Sequence, residues 1–214
     1  MKSVVIGAHL RREDVEPIAD TLPVGELFLS AVSIANDRPL GDRDLLIEVA
    51  GIRGQLLDRA TFIAIRYGLA VRDEHEAAIK CIGFVPQWRK LLDAHREEVE
   101  MTLKAAASAP PARPDRHDFA SGGQYLRALH EASRAVDVDP QFKIGIERTL
   151  VPLATEHRWL HRDTTSIELA MLVRRRDLET VRTAGEKLRR DFPKIPFLLS
   201  GPWPLEVFAN DHQQ

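Results

Sequence analysis

Two histidines four residues apart, His157 and His161, have the spacing of a helical metal site. Residues at i and i+4 share a helix face, and two imidazoles there can hold zinc. A site needs at least a third ligand, however. Neither a Glu nor a Cys is placed to supply one locally, and Arg158 and Arg162 would repel a cation. The pair is read as packed or surface histidines on a helix, and no metal is expected. Arg174, Arg175 and Arg176, followed by Arg182, Lys187, Arg189 and Arg190, make the C-terminal part locally basic. A nucleic-acid face would interleave such charges with exposed aromatics. None is interleaved here, and Asp177, Glu179, Glu186 and Asp191 dilute the patch, so a solvated helix face is expected and no nucleic acid.

Gly51-Ile52-Arg53-Gly54 lies within a helical pattern and lacks the Lys-Ser/Thr ending of a phosphate loop. No nucleophile elbow is present, and no spacing singles out two carboxylates for acid–base work. Cys81 is the single cysteine, has no Cys/His signature around it and is read as a small packed residue. No enzyme constellation is visible among these residues, and no cofactor is expected.

The densest local signal is Gly201-Pro202-Trp203-Pro204. Two prolines fix φ on either side of the indole and hold it in one direction at low entropic cost. On local physics Trp203 is expected at least half-buried, against the terminal strand or the helix over 177–190, with a structural role first.

The elements that must position these residues read as follows. Val4 to Ile6 form a buried strand, 11–20 a short helix, and the apolar run from Gly25 through Ile34 a second strand. Asp42 caps a helix with Leu45, Leu46, Val49, Ile52 and Leu56 at helical spacing. Phe62 to Tyr67 is a β-rich run. A helix over 73–80 leads to another that begins at Pro86 and carries Trp88, Leu91 and Leu92. Val99, Met101, Leu103 and Ala105 alternate with Glu98, Glu100, Thr102 and Lys104, which predicts a half-buried strand. Residues 1–106 thus read as an α+β sandwich. Residues 107–118 carry Pro110, Pro111 and Pro114 and read as a linker. Residues 119–214 read as a second domain: a helical hairpin with Tyr125, Leu129, Ala132 and Val136 on its first stripe, and a second helix from Pro140 to Leu160 divided at Pro152. A β-α-β unit follows, with strands at 167–173 and 195–199 and a helix capped by Asp177. No internal repeat of fixed period is visible.

Charge balance narrows the function class. A net charge of −2 gives no general attraction to nucleic acid or an anionic membrane. The apolar run Val4 to Ala8 is too short for a signal peptide, and no stretch approaches a membrane span of about 18 apolar residues. A cytoplasmic protein is expected.

Several motifs fall in the order of one family. Gly201-Pro202-Trp203-Pro204 after a strand, followed by Phe208, resembles the ending of the GvpF/GvpL gas vesicle proteins. Ile63 to Gly68 stands where that family has a strand ending in Arg-Phe-Gly, with Arg66 and Gly68 as the matching residues. Val99-Glu100 opens a segment resembling its Val-Glu strand. The resemblance runs from about Asp44 to Phe208, with departures at Ala64, Glu97, Met101 and Leu205 to Val207. It implies two α+β domains, the first a modified ferredoxin-like sandwich and the second helices with a small sheet. It also implies a non-enzymatic accessory role in gas vesicle assembly, with the small hydrophobic shell protein GvpA and other accessory proteins as partners. The motif residues Arg66, Gly68, Val99, Glu100, Gly201, Pro202, Trp203 and Pro204 then serve structure or partner contact. The strand from Glu98 to Lys104, or a neighbouring sheet edge, could make the contact. Two alternatives stay open: a repurposed family member acting as a protein-interaction module outside gas vesicles, and a small-molecule-binding α+β protein.

Overall fold

A computed structural model describes residues 1–106, 114–134, 138–160 and 166–209. The fold is α+β. By internal contacts the chain divides into two compact units, 1–99 together with 202–214, and 100–201.

The first unit is built on β1 (Lys2–His9), β2 (Asp20–Val24), β3 (Leu27–Ile34), β4 (Ile63–Ala64) and β5 (Ala70–Val71). β1 is central. It pairs antiparallel with β3 on one side and with β4 and β5 on the other, and β2 is the outer neighbour of β3. Val4, Val5, Ile6 and Ala8 are all buried, so β1 is covered on both faces. The helices are α1 (Arg43–Arg59), α2 (Glu74–Cys81) and α3 (Val85–Ala94). Asp42 starts α1 by accepting a hydrogen bond from the Leu45 amide at 2.8 Å, and Asp73 starts α2 from the Glu76 amide at 2.8 Å. These contacts and the Arg38 guanidinium hold the Asp42 carboxyl below the usual carboxylate range, the Leu45 amide contributing most.

The second unit contains β6 (Glu98–Ala106), α4 (Gly122–Arg134), α5 (Pro140–Thr149), β7 (Glu156–Leu160), β8 (Ser166–Arg174), α6 (Leu178–Asp191) and β9 (Phe197–Trp203). Its sheet runs β7-β8-β6-β9. Alternate residues of β6 (Met101, Leu103) and β8 (Leu169, Met171) form one core with Phe142 and Ile146 of α5 and Val181 and Leu188 of α6. Asp139 and Pro140 set the start of α5, with the Asp139 carboxylate accepting from the amides of Gln141 and Phe142.

The two sheets have the same order once each is numbered from its own first strand. The path β2-β3-β1-β4 in the first unit becomes β7-β8-β6-β9 in the second. This is the order of a ferredoxin-like β-α-β-β-α-β fold. The chain is therefore a tandem of two such units, the second inserted into the first. In the first unit a single 3-10 turn, Arg12–Asp14, replaces the first crossover helix.

Several expectations are corrected by this architecture. Residues 11–20 form that 3-10 turn and then enter β2, because Pro17 interrupts the pattern and Val15 alone is fully buried. The strand at 98–106 lies inside the second sheet, between β8 and β9, rather than closing the first. Period-two alternation specifies a face, not a partner strand. Glu100, expected on the wet face, is 2% exposed. The helix from Pro140 ends at Thr149. His157 lies on β7, paired with Met171, not on a helix face, while His161 and Arg162 fall outside the described residues. Pro152 supplies the break, and beyond it Glu156 to Leu160 pair antiparallel with Leu172 to Glu168 of β8 as a strand. Asp177 precedes α6 but makes no side-chain cap bond. Val136 and the turn of the expected helical hairpin lie outside the described residues, as do Pro110 and Pro111 of the linker.

One buried group gives the first unit a distinctive pH response. His9 is fully buried, stacks on Phe62 at 4.9 Å and lies 3.0 Å through Nε2 from the Ser30 hydroxyl. The Phe62 ring has room there because residue 7 is a glycine. A Cβ at Gly7 would stand 2.4 Å from the Phe62 ring. Burial pushes the His9 pKa down from 6.5 to about 3. The unfolded chain therefore binds a proton below pH 6.5 that the folded chain excludes, and stability falls as pH drops through this window. The slope is about 1.4 kcal/mol per pH unit. Urea denaturation at about pH 6 and pH 5 should show that loss, and His9→Phe should remove most of it. An unchanged slope in His9→Phe would show that this imidazole is not the group responsible.

Candidate functional site

The C-terminal segment returns to the first unit and positions the site. Leu205 forms a parallel bridge with Ile63. Its amide donates to the Phe62 carbonyl at 2.9 Å and its carbonyl accepts from the Ala64 amide at 3.1 Å. Leu205 and Phe208 are buried, and Gln87 of α3 donates to the Ala209 carbonyl. These anchors fix Pro202, Trp203 and Pro204 beside α1. There they line a groove of about 420 Å³ with Leu46, Val49, Ala50 and Leu57. Trp203 is 48% exposed and Leu46 43%. The expected half-burial of Trp203 holds, just over half of the residue being covered, and the wall that it meets in the groove is α1. Two prolines fix its direction, but the position of the segment comes from Leu205 and Phe208.

A second cavity of about 640 Å³ adjoins the groove, lined by Arg53, Arg66, Lys80, Cys81, Phe84 and Trp88 among others. Arg53, Ala64, Tyr67 and Glu206 border both spaces. Tyr67 is held by donating its hydroxyl hydrogen to the Leu40 carbonyl at 2.6 Å. Arg53 donates through Nη2 to the Ile65 carbonyl, while its Nε is buried without a partner. Burial pushes the Arg53 guanidinium pKa down, and the Glu206 carboxylate opposes the shift. Burial also pushes the Cys81 thiol up, which keeps it protonated. Phe84 and Trp88, both in the lining, stack on each other with ring centroids 5.3 Å apart.

The motif residues divide between positions. Arg66 is exposed at the larger cavity, and Pro202, Trp203 and Pro204 line the groove. Gly68 has φ +109°, a conformation that a glycine supplies without strain. Val99 and Glu100 line neither space. They are buried in β6, where the Glu100 carbonyl approaches Gly201. A β6 edge contact is therefore corrected as well, since that strand has a neighbour on each side. The edges of the first sheet are also poor templates. β2 carries Pro23, which has no amide to donate, and β4 is bridged by Leu205. Arg53, Tyr67 and Glu206 were not singled out by sequence reasoning. The available signal was the width of the apolar pattern in α1, where Leu46 falls outside the buried stripe of Leu45, Val49 and Leu56.

Among the described residues no group of three or more His, Cys, Asp or Glu could hold a metal ion. No helix among them is long and apolar enough to cross a membrane. No family model matches the chain, and neither does any curated protein. Two solved structures are similar over nearly their whole length. The gas vesicle protein GvpF from Anabaena sp. PCC7120 is 15% identical with a TM-score of 0.66, over 97% of this chain and 98% of that one. GvpF from Microcystis aeruginosa is 12% identical with a TM-score of 0.69, over the same shares of 97% and 98%. The chain has a GvpF-like fold.

Proposed function

We propose that this chain is a non-enzymatic accessory protein of gas vesicle assembly, acting in the cytoplasm by contact with the small hydrophobic shell protein GvpA and with other vesicle proteins. The observation that carries the reading is the likeness to two GvpF structures across 97% of the chain. The groove between α1 and Pro202–Pro204 is the contact surface in this reading, with Trp203 as its anchor. A half-exposed tryptophan held by two prolines loses little entropy on docking, and tryptophan is enriched among residues that dominate interface energy. An apolar shell subunit is an aggregation hazard before it polymerises, and covering its apolar surface would keep it available.

The test is a pull-down with the shell protein encoded in the same genome, at low and high salt. An apolar contact should persist as salt rises, whereas an association driven by Arg174, Arg175 and Arg176 would be screened. Charge reversal at those three arginines should leave capture nearly intact. Failure of the folded chain to capture any vesicle protein from that genome would refute the accessory reading.

A further inference from the structure

The larger cavity has a different chemistry from the groove, and apolar docking does not account for it. Its volume of about 640 Å³ falls within the range of small-molecule sites. Three cations line it, Arg53, Arg66 and Lys80, against one carboxylate, Glu206. Lys80 is already engaged, 2.9 Å from Glu76 and donating to the Ala70 carbonyl. Glu206 is the countercharge acting on Arg53. Arg66 has no ion-pair partner among the described residues and supplies a surplus positive charge at the rim. Arg53 adds a partly buried guanidinium whose Nε lacks an acceptor. The same cavity is lined by Trp88 and Phe84, whose stacked rings supply its aromatic part.

We propose that this cavity binds a small ligand with a ring-sized apolar body and one oxyanion, a carboxylate or a phosphate. The body lies against Trp88, and the oxyanion meets Arg66 with Arg53 behind it. A guanidinium presents paired N–H donors that match either oxyanion. The neutral Cys81 thiol in the wall adds no competing negative charge. This inference goes beyond the docking reading and does not depend on it, because it needs no vesicle protein.

The test uses the full chain with three probes of one shape: 2-naphthoate, 2-naphthyl phosphate and the neutral 2-naphthylmethanol. Thermal shift and calorimetry should show at least one anion raising the melting temperature progressively with its concentration, as stabilisation grows with the logarithm of 1 + [L]/Kd. The neutral alcohol should bind about tenfold more weakly, the loss expected when one charge-assisted contact is removed. Arg66→Gln changes an exposed residue without an ion-pair partner, so the fold should survive and anion affinity should fall about tenfold. Arg182→Gln, on α6, should leave affinity unchanged, and Trp88→Leu should weaken all three probes. The tighter of the two anions identifies the headgroup. Equal binding of anions and alcohol, unchanged affinity in Arg66→Gln, or no shift with any probe at millimolar concentration would overturn the proposal.

Discussion

Gly201→Ala should cost the protein about 4 kcal/mol of stability, more than any other single-methyl addition in the motif. Two effects add. Gly201 has φ +124°, outside the region open to alanine, and such strain costs about 1–3 kcal/mol. A Cβ there would also stand 2.8 Å from the Glu100 carbonyl oxygen and 2.7 Å from the Met101 sulfur. The thioether can move, but the carbonyl belongs to β6 and cannot shift without disturbing the ladder. Overpacking of this kind costs about 1–3 kcal/mol. Gly68 separates the two effects. Its φ is +109°, yet a Cβ there would meet nothing within 4 Å. Gly68→Ala should therefore lose only the strain component, about 1–3 kcal/mol. Urea denaturation of both variants measures the difference. Equal losses at the two glycines would show that the approach of Gly201 to β6 does not limit the packing.

Trp203→Ala should have the opposite profile, with a small effect on stability and a large one on partner binding. A half-exposed side chain that lines an open groove gives up only part of its burial when truncated, so a loss of about 1 kcal/mol is expected. As an interface anchor the same indole should contribute about 2–4 kcal/mol, a drop of roughly 30- to 1,000-fold in affinity. Leu46→Asp, which places a charge on the facing wall at a residue 43% exposed, should weaken docking similarly without unfolding α1.

Local elements were legible wherever one residue type decides one local structure. The Asp42 and Asp139 caps, the alternation of Val99 to Ala105 and the break at Pro152 each follow from side chains near the event they control. What escaped the sequence was long-range pairing. The pattern of β6 gives the apolar buried face, though not the burial of Glu100, and it does not give its neighbours β8 and β9, 60 to 100 residues away. The duplication of the sheet order was hidden for the same reason, since topology is conserved in strand pairing and leaves no residue period. The site divides likewise. Trp203 and Arg66 stood out because prolines and strand endings mark them. Arg53, Tyr67 and Glu206 became visible only when the bridge from Leu205 to Ile63 brought three separate stretches of chain together.

The proposed function turns on an apolar contact at the groove between α1 and Trp203. Calorimetric titration of the shell protein from the same genome into wild-type chain and Trp203→Ala tests it most directly, with the melting temperature of each recorded alongside. The account predicts salt-resistant binding by the wild type, at least 30-fold weaker binding by Trp203→Ala, and nearly equal melting temperatures. Equal affinities in two folded proteins would contradict it.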